Sequence, residues 1–94
     1  MANKIQLDVV TPEKLVISDE VDIVVAPGAL GEFGVLAGHI PFLSTLTPGE
    51  MRFTRDGQVE YMAVGSGFAE VQPEKVTVLA DTAELAREID IDRA

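Results

Sequence analysis

Met51-Arg52-Phe53-Thr54-Arg55-Asp56-Gly57-Gln58-Val59-Glu60-Tyr61-Met62-Ala63 decides the fold class. Met51 and Phe53 alternate with polar residues up to Arg55, and Val59, Tyr61 and Ala63 alternate away from Gln58. A period of two is the signature of a half-buried strand. Asp56-Gly57 stands between the two runs, and Asp-Gly supplies the positive φ angles that a two-residue hairpin turn requires. The centre of the chain is therefore a β-hairpin.

The same period extends outward. Ile5, Leu7 and Val9 alternate with Gln6 and Asp8, and Thr11-Pro12-Glu13-Lys14 breaks the run before Leu15-Val16-Ile17 resumes. Asp19-Glu20 punctuates before Val21, Ile23, Val24 and Val25, and a turn is expected at Ala26-Pro27-Gly28. Four glycines and a proline then interrupt an apolar stretch from Gly28 to Pro41, which reads as compact loops and short strands. Phe42–Leu46 closes at Thr47-Pro48-Gly49, Gly65-Ser66-Gly67 makes a further bend, and Phe68–Val71 and Val76–Ala80 form a last strand pair. The final residues change period. Asp81 or Thr82 is placed to cap a helix with Glu84 at capping-box spacing, and Leu85 and Ile89 share a helical face. Many short strands with frequent turns predict a β-sandwich or small barrel carrying a C-terminal helical stub.

Composition excludes several functions. Ninety-four residues make one domain, and 47% apolar with 24% charged residues is globular composition. Sixteen acidic against seven basic residues give a net charge of −9, opposed to nucleic-acid binding and to docking on anionic lipid. Without cysteine there is no disulfide, thiolate metal site or Cys nucleophile. The opening Met1-Ala2-Asn3-Lys4 shows no signal core, so the chain is expected in the cytosol or attached elsewhere through protein contacts.

Little catalytic chemistry is offered. The single histidine, His39, has no sequence-evident partner for a Ser-His-Asp assembly. Asp19-Glu20-Val21-Asp22 is a local charge cluster read as a solvated turn, and Gly31-x-x-Gly34 with Gly38 lacks the ending of a phosphate loop. The segment Glu32–Pro41 has two readings: Phe33, Leu36 and Ile40 are core, or they form a rim offered to a partner.

Five stretches in this order resemble one family over nearly the whole chain. They are Leu7–Glu13, Gly31–Pro41, Leu46–Gly49, Gly65–Val71 and Val76–Asp81. The family is the ε subunit of the bacterial F-type ATP synthase, counterpart of the mitochondrial δ subunit. The resemblance implies a flattened β-sandwich of about ten strands, a non-catalytic monomer at the foot of the central stalk that couples the γ subunit to the c-ring. It implies that Glu32, Phe33 and Gly34 face the polar loops of the c-ring, and that Thr11, His39 and Ser44 face γ. It places the protein peripherally on the cytoplasmic face of a bacterial membrane, as part of F1. No nucleic acid, metal or inserted lipid is expected, and the acidic excess is expected to hold the domain off anionic headgroups.

The family usually continues into a helical hairpin that inhibits ATP hydrolysis and contributes an ATP site. Here Ile89-Asp90-Ile91-Asp92-Arg93-Ala94 looks like the start of the family's nucleotide motif. The resemblance gives Glu84, Asp90 and Arg93 a share in nucleotide contact, joined by arginines of a second helix. The expected division is a sandwich over 1–83 and the start of a truncated helical segment over 84–94, without inhibition and without ATP binding by this chain alone. A natural short form is the other account of the ending. Alternatives to the stalk subunit are a stand-alone β-sandwich interaction module and a small-molecule sensor using the C-terminal stub.

Overall fold

The computed structural model describes residues 4–38 and 40–86 and contains ten strands: β1 (Ile5–Val10), β2 (Leu15–Val21), β3 (Ile23–Gly28), β4 (Gly31–Val35), β5 (Phe42–Leu46), β6 (Gly49–Arg55), β7 (Gln58–Val64), β8 (Gly67–Val71), β9 (Lys75–Ala80) and β10 (Ala83–Leu85). Their hydrogen-bonded order is β10-β7-β6-β3-β5-β8-β9-β1-β2, with β4 added to β3. All pairs are antiparallel except β1 with β9.

Strand β3 makes the corner of this path. Its residues Ile23–Val25 pair with β6 and its last residue Gly28 pairs with Leu46 of β5, while the other edge takes β4. The path therefore folds into two five-stranded layers, β10-β7-β6-β3-β4 and β5-β8-β9-β1-β2, which is the expected sandwich. Between them lie Leu7, Val9, Val24, Met51, Phe53, Met62, Val71 and Val78, all buried, and no polar side chain is buried among the described residues.

The central hairpin pairs Arg55 with Gln58 around Asp56 (φ 53°) and Gly57 (φ 81°). This register sets Met51 opposite Met62 and Phe53 opposite Glu60. Since paired residues share a face, Met62 and Val64 enter the core, and the alternating Val59, Tyr61 and Ala63 look outward.

Three local expectations change. Asp19 and Glu20 lie inside β2, paired with Leu7 and Gln6, so no turn occurs there. The break falls at Asp22, where the chain passes from one layer to the other and the Asp22 amide donates to the Thr54 carbonyl at 2.7 Å. The turn expected at Ala26-Pro27-Gly28 comes later, at Ala29-Leu30, and Gly31 rather than Gly28 takes the positive φ. Finally, Asp81 and Glu84 form no capping box. Ala83–Leu85 pairs with Val64, Ala63 and Met62 of β7, and Leu85 is buried. Tertiary pairing outweighs a weak local helix signal in so short a segment. The expected helical face also relied on Ile89, which lies outside the described residues, as does most of the segment 84–94.

Candidate interaction surfaces

Strand β4 is bonded in its layer only to β3 and carries Gly31, Glu32, Phe33, Gly34 and Val35. Val35 is buried, so alternation points Phe33 inward and Glu32 and Gly34 outward. Phe33 packs edge-to-face on Phe42 of β5, with ring centroids 5.3 Å apart. The Glu32 carboxylate receives both ends of the Arg52 guanidinium, at 3.1 and 3.4 Å. The Glu32 carboxylate raises the Arg52 pKa above its ordinary value through this hydrogen bond and charge. Sequence reasoning singled out Glu32, Phe33 and Gly34 but not Arg52, which becomes visible only when β6, β3 and β4 lie side by side.

Beyond β4, Leu36 is 58% and Ile40 78% exposed. Of the two readings of Glu32–Pro41, Phe33 follows the first by packing against the core, whereas Leu36 and Ile40 are exposed and not core.

Of the residues expected to face γ, Thr11 and Ser44 belong to the other layer. The Thr11 hydroxyl donates to the Lys14 carbonyl and accepts from the Glu13 and Lys14 amides, each at 3.3 Å, closing the β1–β2 turn. Ser44 lies on β5 with its hydroxyl on the Thr45 carbonyl, and β8 and β9 separate β5 from β1. Three strand spacings amount to about 14 Å, so Thr11 and Ser44 do not meet. His39 lies outside the described residues.

Between them runs a feature the linear sequence hides. Thr45 pairs with Phe68, Phe68 with Leu79, Leu79 with Val10 and Val10 with Leu15. Neighbours Ala69, Val78 and Val9 are buried, so this row faces outward. Phe68 is 50% and Leu79 51% exposed. Leu15 joins the row because the register shifts between Val9 and Val10, a bulge that turns it away from Ile17's face. The signal was present in the sequence as Phe68 and Leu79 standing out of phase with the buried residues of their strands. The apolar row ends at Val10 and Leu15 beside Thr11, and at Thr45, while Ser44, paired with buried Ala69, faces the other side of β5.

Below the row is a polar band. The Gln6 side-chain amide donates to Asp8 and to Ser18, Ser18 donates to Asp8, and Lys75 pairs with Asp8 at 3.2 Å. The Gln6 hydrogen bond, then those of Ser18 and Lys75, hold the Asp8 carboxyl below its ordinary pKa. A second charged group lies where the layers meet: Lys4 binds Asp22 and Asp56, each at 2.9 Å, and Arg55 binds Asp19 and Glu60. Asp19 is held low by the Glu20 amide and then by Arg55, and Asp22 by Lys4. The supposed solvated turn at Asp19–Asp22 is thus an ion-paired junction.

Glu84 is exposed on β10, while Asp90 and Arg93 lie outside the described residues. A cleft of about 490 Å³ opens between the Thr11–Lys14 turn and Asp81–Glu84. Glu13, Lys14, Asp81 and Glu84 are its charged lining, a set poor in the cations a triphosphate needs. Among the described residues no three His, Cys, Asp or Glu side chains converge as a metal-ligand set, and no helix is long and apolar enough to cross a membrane.

This geometry has counterparts. The model of the delta/epsilon chain β-sandwich domain of ATP synthase matches residues 4–86. The ATP synthase epsilon chain of Geotalea uraniireducens is 54% identical over 94 residues, covering all of this chain and 68% of that protein. That of Syntrophobacter fumaroxidans is 57% identical, covering 70% of its own length. Among solved structures, a chain of the Euglena gracilis mitochondrial ATP synthase (OSCP/F1/c-ring) superposes with a TM-score of 0.86 at 26% identity, over 96% of this chain and 58% of that one. A chain of the Tetrahymena thermophila mitochondrial ATP synthase central stalk and c-ring shares the fold, with a TM-score of 0.77 at 14% identity over 97% of this chain and 73% of that one.

Proposed function

The chain belongs to the delta/epsilon-chain β-sandwich family of ATP synthase, and from that premise we propose that it joins γ to the c-ring through opposite faces of its sandwich. Membership makes it a non-catalytic central-stalk subunit of a membrane-associated complex. One observation carries the finer reading. The Glu32–Arg52 pair lies on the outside of one layer, and the Thr45-Phe68-Leu79-Val10-Leu15 row lies on the outside of the other. Two partners bound back to back do not compete, which is what a transmitting part of a rotor requires. A tightly packed core between the faces keeps the joint from yielding.

In this reading γ covers the apolar row beside Thr11, and the resemblance adds His39 and Ser44 to its contacts. The c-ring loops meet Glu32, Phe33 and Gly34. The domain sits on the cytoplasmic face of a bacterial membrane, touching protein rather than lipid, in keeping with its net charge of −9. The double variant Phe68→Glu/Leu79→Glu tests the assignment. It is expected to lose capture of purified γ, whereas Glu32→Gln keeps it. Undiminished capture by the double variant sinks the assignment.

Nucleotide is the second part of the proposal. Glu84, Asp90 and Arg93 contact ATP only in company with further arginines, because one motif arginine among carboxylates does not balance a triphosphate. The acidic cleft beside Glu84 supports this. Calorimetry of this chain with ATP is expected to show no micromolar binding, and a clear micromolar isotherm refutes it.

A further inference from the structure

We propose that Arg52 is the positioning residue for Glu32, holding its carboxylate as a pre-oriented acceptor for a hydrogen-bond donor on the c-ring loops. This rests on the reading that Glu32 faces the ring.

The geometry begins with register. Arg52 of β6 stands opposite Val25 of β3, and Val25 stands opposite Gly34 of β4. Glu32 is two residues from Gly34 and opposite Pro27. Arg52 and Glu32 thus share an outer face, with β3 between their strands, about 10 Å across two spacings. Only a long side chain closes that span. Gly34 has no side chain to obstruct it, so the guanidinium reaches the carboxylate fork-on-fork. A lysine brings equal charge but only a point contact.

The consequence is recognition by geometry. A carboxylate offers about four lone-pair sites, and the two that Arg52 engages leave the outward ones available. The Glu32 side chain is 53% exposed and Arg52's is 35% exposed, so the pair sits at the surface with its acceptor side reachable. An unpaired Glu32 on the same edge strand would instead be a mobile point charge, attracting any cation and losing affinity steeply with salt. With Arg52 in place the charge is largely compensated and the direction of the acceptor is set. The strand that carries it is in turn anchored by Phe33 on Phe42 and by buried Val35.

The experiment measures binding of the chain and its variants to a detergent-solubilised c-ring–γ assembly from low to high salt, alongside thermal unfolding of each free variant. Arg52→Gln is expected to weaken binding about fivefold to tenfold at physiological salt and to steepen its salt dependence, as expected for lost charge-assisted orientation. Arg52→Lys recovers the salt slope but only part of the affinity. Glu32→Gln weakens binding similarly, and adding Arg52→Gln to it costs little more. The exchange Glu32→Arg/Arg52→Glu keeps the cross-strand pair and the unfolding temperature but does not restore binding. Recovery of binding by the exchange shows Arg52 to be a staple for β4 and overturns the proposal. Unchanged affinity and salt slope in Arg52→Gln, with Glu32→Gln weakened, overturns it while leaving the c-ring reading intact. Unchanged affinity in Glu32→Gln overturns both.

Discussion

The outer faces of the two layers solve the same problem in different ways. On the β10-β7-β6-β3-β4 face, Arg52 reaches across a neighbouring strand to Glu32, so charge is compensated within the domain. On the β5-β8-β9-β1-β2 face, Phe68, Leu79, Val10 and Leu15 form an apolar row across four strands that no element among the described residues covers. A compensated ion pair at the surface adds little to stability and is suited to directional contact. Burial of a half-exposed Phe or Leu by a partner supplies about 1–2 kcal/mol per side chain, so the apolar face is suited to holding on. Under the proposed function, affinity belongs to one face and orientation to the other.

Gly67 gives the largest way to break that contrast. It begins β8 opposite Ala80, and a Cβ there would collide with the Leu79 carbonyl. The obstacle is backbone, so it cannot swing aside. Gly67→Ala is expected to cost at least about 2–3 kcal/mol of stability, read as a drop in the midpoint of denaturant unfolding. It also displaces Phe68 and Leu79 together, so γ capture falls with it. A variant as stable as the parent refutes the close approach of β8 and β9.

Phe68→Glu/Leu79→Glu comes next, because it separates binding from folding. Neither side chain is in the core, so the unfolding midpoint moves little. Loss of two apolar anchors is expected to lower γ affinity about 100-fold or more. Titration of labelled γ checks this, and a loss below about threefold would return the row to an ordinary surface.

Much of this arrangement was legible in the sequence, for physical reasons that also mark the limit. Ile5, Leu7 and Val9 showed the period of two because one face of β1 meets the core, and Asp56-Gly57 announced its hairpin because few residues take two positive φ angles. Glu32, Phe33 and Gly34 do share one edge strand, as a local motif could indicate. What escaped depends on strands distant in sequence. Asp81 and Glu84 have spacing compatible with a helix start, and only β7 makes Ala83–Leu85 a strand. Arg52 meets Glu32 only through β3, and the apolar row exists only once β5, β8, β9, β1 and β2 are in register. Thr11 and Ser44, grouped by resemblance, are separated by two strands, and Ser44, paired with buried Ala69, faces away from that row.

The smallest effect concerns the polar band beside the apolar row. Asp8, Asp19 and Asp22 all have pKa values below the ordinary one in the folded chain, Asp8 chiefly through Gln6, Asp19 through the Glu20 amide and Asp22 through Lys4. A carboxyl that binds its proton less readily when folded stabilises the fold above its unfolded pKa, near 4. That contribution disappears as pH falls through the lower folded value, where both states are protonated. The unfolding temperature is therefore expected to be nearly level from neutrality to about pH 5 and to decline below about pH 4. Asp8→Asn removes one of the three contributions and makes the acid decline shallower, without touching Glu32 or Arg52. Asp8 lies on the same outer face as Leu79, beside the row, so its substitution leaves the core beneath untouched. An unfolding profile whose acid slope is identical in Asp8→Asn and the parent shows that Asp8 contributes nothing to the acid decline.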